Sequence, residues 1–237
     1  MPWTAIYAQY CQWKILRIKR KRKNKVIGGL SNQAALSPLP WRECDVMFRQ
    51  TSAIIMASGQ STRMGRNKLF LKYQGQTFLE RILSLVQKAG FFETILVITP
   101  EDAAGCFLPE DIHVVYNRQS DLGQSAAVRL GTREATGDGY LYLPVDQPLL
   151  TLEILEAIIQ RGTHDNIVFP LKAGEPQSPV YFGADFYEEL LQVSGSSGGR
   201  EVRNNHKDAW VQVAVSEEYL EDIDTPADYE NLLQKVF

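Results

Sequence analysis

The chain has 237 residues, 44% apolar and 22% charged, an ordinary globular composition with enough apolar side chains for a sizeable core. Its net charge of −3 is uneven: residues 1–50 hold ten Lys and Arg against two Asp and Glu, residues 51–237 fifteen against twenty-six. The acidic body argues against broad nucleic-acid binding. No apolar run approaches the roughly 20 residues of a membrane span. Three cysteines without an even, close spacing point to a reducing compartment, expected to be the cytoplasm.

Residues 1–50 read as a basic, disordered extension. The cationic run "KILRIKRKRKNK" precedes a turn-rich linker, "GGLSNQAALSPLP". A flexible tail, or a start placed upstream with Met47 as the alternative initiator, is the plain reading. A basic arm touching an anionic partner is the functional one. The order of charge and apolar residues at the start is the reverse of a secretory signal.

From residue 51 strands and helices alternate. "SAIIMA" is short, apolar and β-branched, hence a buried strand. "TFLERILSLVQKAG" has helical periodicity, with Thr77 and Glu80 as a capping box and Gly90 as the stop. "TILVIT" and "IHVVY" are strands, "LGQSAAVRLGTREATG" a helix, "YLYLPV" a strand, and "TLEILEAIIQRG" a helix capped by Thr151. "NIVFPL" and "PVYF" are later strands. "TPADYENLLQKVF" is a closing helix with Thr225 as cap, Pro226 at its first position and Asp228 three residues after the cap. Repeated βα units predict an α/β fold in three layers, α/β/α, around a mostly parallel twisted sheet. Residues 171–215 break the alternation, as an inserted, substrate-covering element would.

Open α/β sheets bind ligands beyond the carboxyl ends of their strands. In "AIIMASGQSTRMGRNKLFL" the first strand runs into a turn with Gly59 and Gly65, then Arg63, Arg66 and Lys68. The spacing is neither that of a Walker loop nor of the dinucleotide fingerprint. Such a turn can still offer backbone N–H groups to phosphate, with Arg63 as a fork and Lys68 as a point charge; the alternative is a solvated basic loop. Asp146 follows the buried strand of "YLYLPVDQPLL" and so stands at the mouth of the sheet. In "LEDIDTPADY", helix capping accounts for Asp228, while Asp224 precedes the cap. Two carboxylates from separate loops suit Mg²⁺ when phosphates supply its other ligands, and Asp146 with Asp224 is the natural pair. Gln124 and Ser125, opening a helix after Gly123, are placed either to meet a base or ribose or simply to cap. The scattered His113, His164 and His206 give no zinc spacing, no Gly-x-Ser-x-Gly elbow is present, and Cys106 reads as an inert thiol.

These stretches resemble the MobA-like nucleotidyltransferases. "IIMASGQSTRMGRNKLFL" is similar to the signature loop of that family, "LPVDQPLLT" and "DIDTPADY" to its two metal-binding motifs, and "NRQSDLGQSAAVRLG" to its nucleotide loop. The resemblance runs over residues 51–237, and it is nearest the molybdenum cofactor cytidylyltransferase group through "DQPLLT" and the Lys-Leu-hydrophobic-Leu after the loop. It implies a Rossmann-like, glycosyltransferase-A-like domain that moves CMP from CTP to molybdopterin cofactor, releasing pyrophosphate, with a molybdenum hydroxylase as recipient of the product. Arg63, Lys68 and Asp146 would be catalytic. Ala57, Ser58 and Gly59 would seat the nucleotide with Gln124 and Ser125, and Asp146 and Asp224 would hold Mg²⁺.

The chain departs from the family at two places. The family loop reads Ala-Ala-Gly or Ala-Gly-Gly, and here it is Ala57-Ser58-Gly59, which leaves CTP against GTP open. A late Gly-His-Pro triplet is replaced by Gln177-Ser178-Pro179, in the region expected to face the acceptor. Arg200, in "SGSSGGREVR", is placed either to touch an acceptor phosphate or merely to follow a glycine hinge. The competing classes are an NAD(P)-dependent oxidoreductase on a related scaffold, disfavoured by the missing fingerprint, and a non-catalytic domain, disfavoured by the intact charged residues.

Overall fold

The structure is a computed structural model and describes residues 50–235. The extension expected upstream of Gln50 lies outside the described residues. Strand β1 (Thr51–Ala57) is the hub of the sheet. Ile54 turns to one face and Ala53 and Ile55 to the other, all three fully buried. That is what a strand covered on both faces requires, and each isoleucine removed from water contributes about 1.5–3 kcal/mol.

A two-stranded hairpin, β2 (Lys72–Tyr73) with β3 (Gln76–Thr77), follows the first loop. Its turn residues Gln74 and Gly75 have φ of 49° and 85°, the positive pair that twists a two-residue hairpin correctly. Helix α1 (Phe78–Ala89) has the expected capping box of Thr77 and Glu80, and Gly90 ends it at φ 68°. Strand β4 (Glu93–Ile98), short helix α2 (Pro100–Ala104) and strand β5 (His113–Tyr116) come next. Helix α3 (Gln124–Glu134), strand β6 (Gly139–Pro144) and helix α4 (Leu152–Ile159) complete the regular alternation. Thr151 occupies the start of α4 as expected, but its side chain makes no capping bond to the helix backbone.

The remainder departs from simple alternation. It comprises β7 (Ile167–Lys172), β8 (Glu175–Pro176), β9 (Val180–Gly183), α5 (Tyr187–Gln192), α6 (Arg200–Asn205), β10 (Trp210–Val213) and α7 (Pro226–Gln234). The sheet order is β10-β7-β9-β6-β1-β4-β5, with β8 paired to β7. All pairings along that order are parallel except those of β9, which runs antiparallel between β6 and β7. Residues 171–215 are therefore not simply an insertion laid over the sheet, because β9 and β10 are built into it.

Helices α1 and α4 cover one face and α3 and α5 the other, which makes the three layers expected. On the second face α3 lies so close to β1 that a Cβ on Gly131 would sit 2.4 Å from Ile54 Cγ2. The chain order reverses at β1. Strands β4 and β5 are added on one side of it and β6 on the other. The loops after β1 and β6 thus open at a topological switch point, where the crossover helices part and leave a crevice.

Candidate active site

The loop leaving β1 is pinned from beneath. Met64 and Leu69 are buried and anchor two short 3₁₀ turns, Thr62–Met64 and Lys68–Phe70. Ser61 at φ 49° and Gly65 at φ 68° supply the left-handed bends. The Ser61 hydroxyl accepts the Lys68 N–H at 3.2 Å, and Asn67 donates from Nδ2 to Asp102 Oδ1 at 2.6 Å. Two buried apolar side chains and two polar ties hold the loop while its backbone at Gly59 stays open, with no atom near where a Cβ would stand.

This bracing carries Lys68 inward, where its side chain is 11% exposed. Its ammonium donates to Asp146 Oδ2 at 3.1 Å and to Asp224 Oδ1. Burial alone would push the Lys68 pKa down, but the charges and hydrogen bonds of Asp146 and Asp224 outweigh it and the pKa is raised. Arg63 reaches Asp224 from solvent, Nη2 to Oδ2 at 2.7 Å. Asp146 stands just past the end of β6, and its carbonyl accepts the Ile223 N–H at 2.9 Å, which ties the two carboxylate loops together. Asp224 is fixed in turn by the closing helix. Asp228 Oδ2 accepts the N–H groups of Asp224 and Thr225 while Thr225 caps α7.

The structure therefore brings Arg63, Lys68, Asp146 and Asp224 to one point, from three segments far apart in the chain. Ala57 and Ser58 are buried at the end of β1, and Gly59 is exposed beside them. The Ser58 hydroxyl accepts from Asn117 Nδ2 at 2.9 Å. Gln124 is exposed at the start of α3 and lines the crevice. Ser125 faces the interior instead: it is fully buried, its hydroxyl donates to the Ser194 carbonyl at 2.9 Å, and it accepts the Gly198 N–H at 3.2 Å.

Three participants were not singled out from the sequence. Asn117 is buried and holds Ser58, and its own Oδ1 accepts the Gln119 N–H at 3.0 Å. Gln147 donates to Asp222 Oδ1 at 2.9 Å. Asp222 keeps contact with solvent but lies in the concave wall; the surrounding protein, then the charge of Asp146, lift its pKa to about 6. An asparagine directly after an edge strand and a glutamine directly after Asp146 were the available signals.

No group of three or more metal-ligating side chains occurs among the described residues. Asp146 and Asp224 face one another across the Lys68 ammonium, so a cationic group already stands where the two carboxylates converge. Two oxygen donors, without His or Cys, fit a hard divalent cation that completes its shell with phosphate and water.

The model of the MobA-like NTP transferase domain matches residues 53–210. The chain belongs to the MobA-like NTP transferase family. Among MobA-like relatives, the purine catabolism protein PucB of Bacillus subtilis is 26% identical over 192 residues, covering 75% of this chain and 93% of that protein. A molybdenum cofactor guanylyltransferase of Xanthomonas euvesicatoria is 28% identical over 121 residues, covering 51% of this chain and 60% of that protein. The crystal structure of Rv0371c from Mycobacterium tuberculosis superposes with TM-score 0.72 at 25% identity, over 78% of this chain and 98% of that one. A manganese complex of Rv0371c gives TM-score 0.69 at 25% identity, over 79% and 100%. Nucleotidyl transfer is the chemistry of this MobA-like domain. Asp224 lies beyond the matched span, and its place in the site rests on its contacts with Arg63 and Lys68. No helix among the described residues is long and apolar enough to cross a membrane.

Proposed function

We propose that residues 51–237 form a cytoplasmic, Mg²⁺-dependent transferase domain that moves CMP from CTP to molybdopterin cofactor and releases pyrophosphate. The observation that carries the reading is the Lys68 ammonium clamped between Asp146 and Asp224, at the mouth of a sheet of the MobA-like fold. In the reaction an oxygen of the acceptor phosphate attacks the α-phosphorus of the nucleotide. The bond from that phosphorus to the bridging oxygen of the β-phosphate breaks, and the electron pair leaves with pyrophosphate.

Little covalent work falls to the chain; it aligns the reactants and meets growing charge. Open backbone at Gly59, beside Ala57 and Ser58, seats the base, and exposed Gln124, which lines the same crevice, meets the ribose. Lys68 and Arg63 turn from the carboxylates to the triphosphate when it enters and hold the departing pyrophosphate. Asp146 and Asp224 would hold Mg²⁺, which would supply charge neutralisation at the phosphates. Buried Ser125 supports the start of α3 from behind.

The "DQPLLT" motif favours CTP. The Xanthomonas relative, named a guanylyltransferase, favours GTP as the second reading. The test is pyrophosphate release from each of the four NTPs with molybdopterin cofactor and Mg²⁺. CTP is expected to be used best. Preference for GTP would replace the cytidylyl reading with the guanylyl one, and full activity of Asp146→Ala would end both.

A further inference from the structure

Beyond Asp146 the crevice continues into a second lobe, walled by Gln177 and Ser178 after β8 and by Arg200 and Arg203 of α6. Arg203 is the unusual member. It is only 8% exposed, and its guanidinium lies over the Phe169 ring, 5.5 Å from the centroid. Its Nε and Nη2 both donate to Asn204 Oδ1 at 3.3 Å, a neutral and stretched acceptor. Among the described residues no carboxylate lies within ion-pair distance of it. The one fully buried side-chain nitrogen or oxygen without a partner among the described residues is Gln147 Oε1. Arg203 Nη1, which also lacks a partner among the described residues, is therefore not fully enclosed, and Arg203 is part of the wall of the lobe.

Arginine cannot shed its proton, so a guanidinium withdrawn from water without a counter-ion is costly until an anion arrives. Burial, and then the neighbouring charge of Arg200, lower the Arg203 pKa, with Glu175 opposing them. The carboxylates of the crevice are engaged elsewhere: Lys68 and Arg63 meet Asp146 and Asp224, and Gln147 donates to Asp222. Phe169 belongs to β7, separated from β6 by β9, so at about 4.8 Å per strand the stacked guanidinium stands about 10 Å across the sheet from the strand that carries Asp146.

We propose that Arg203, with Arg200 at its rim, is an anion subsite of this second lobe and receives the phosphate monoester group of the acceptor. The proposal rests on the transferase reading above for the word acceptor, but not for the anion. Two guanidinium forks suit the three oxygens of a phosphate monoester better than the two of a carboxylate.

The test is calorimetric titration of inorganic phosphate, with acetate in a parallel arm, into the full chain and its Arg203→Gln and Arg203→Lys variants. Arg203→Gln is expected to weaken the phosphate isotherm about tenfold or more, Arg203→Lys to recover part of it, and acetate to bind at least about tenfold more weakly than phosphate. In turnover the acceptor KM of Arg203→Gln is expected to rise by a similar factor while the NTP KM stays unchanged. A phosphate isotherm for Arg203→Gln that superimposes on that of the unaltered protein overturns the proposal, as does acetate binding as tightly as phosphate. If Arg203→Gln does not fold, the exposed change Arg200→Gln decides: about threefold weakening supports the subsite and no change overturns it. Should the unaltered protein release pyrophosphate from no NTP, the transferase reading falls, and the phosphate isotherms still decide on Arg203.

Discussion

Lys68 and Asp146 stand 78 positions apart in the chain and meet at 3.1 Å at the mouth of the sheet. The same ammonium also meets Asp224, so one cation bridges two carboxylates that would otherwise repel one another. Lys68→Met removes that cation. Pyrophosphate release is expected to fall by at least about 100-fold, the scale of a lost charge-stabilising group. Metal affinity without nucleotide is expected to rise, because the ammonium no longer competes for Asp146 and Asp224. Calorimetry with Mn²⁺ or Mg²⁺ checks the second outcome, and weaker binding would show that Lys68 does not occupy the cation position.

Asn117 acts through Ser58. Asn117→Ala leaves the buried Ser58 hydroxyl without its donor and the Gln119 N–H without its acceptor. A cost of about 1–3 kcal/mol in stability is expected from the lost partners. The nucleotide consequence is separate: the turn from Ala57 to Gly59 loosens, and the ratio of kcat/KM for CTP to that for GTP is expected to fall. Steady-state rates with both nucleotides measure it, and an unchanged ratio would remove Asn117 from any part in base choice.

Gly131 permits the close approach of α3 to β1. A Cβ there would stand 2.4 Å from Ile54 Cγ2, and Ile54 is fully buried. Gly131→Ala therefore overpacks the interface despite the better helix propensity of alanine, at about 1–3 kcal/mol. Urea unfolding of the two proteins checks the sign, which would be positive for the variant if helix propensity governed.

The cap of α7 should be sensitive to pH. The Thr225 hydroxyl, then backbone N–H groups of Thr225 and Asp224, hold the Asp228 carboxyl below the ordinary range. A depressed folded pKa means that the stabilisation is complete above the unfolded value, near 3.9, and is lost as pH falls through the folded one. Thr225→Ala is expected to cost about 1 kcal/mol near neutrality. Asp228→Asn should cost less than that, and the difference from the unaltered protein should close below about pH 4. Denaturant midpoints at pH 7 and pH 3 test this, and a gap that widened on acidification would contradict it.

The elements legible from sequence are those whose local signals agree. β1 is a short β-branched run, and α1 joins an apolar stripe to a capping box and a terminal glycine. Asp146 and Asp224 pair from the sequence because one stands two residues past a strand and the other two residues before a helix, each with a clear boundary. The hairpins at Gln74-Gly75 and Ala173-Gly174 went unread, since their strands have two to six residues and their turns lack the more telling Asn-Gly or Asp-Gly. β9 read as a strand, but nothing local sets its direction, so its antiparallel place inside the sheet was out of reach. Arg203 illustrates the same limit: its burial depends on Phe169, more than thirty positions away, and an arginine in a polar helix carries no sign of that. Ser125 shows the converse, a polar residue at a helix start whose partners at 194 and 198 turn it inward.

The antiparallel strand inside the sheet, β9, is also a seam. Among the described residues, backbone pairing between β1, which leads to Lys68, and β7, which carries Phe169 beneath Arg203, passes only through β6 and β9, over residues 139–142 and 180–183. Strands β7 and β10 can change without disturbing the backbone pairing of β1, β4 and β5. If Arg203 meets the acceptor as proposed, a lineage with this architecture can exchange its acceptor while keeping the strand that leads to Lys68.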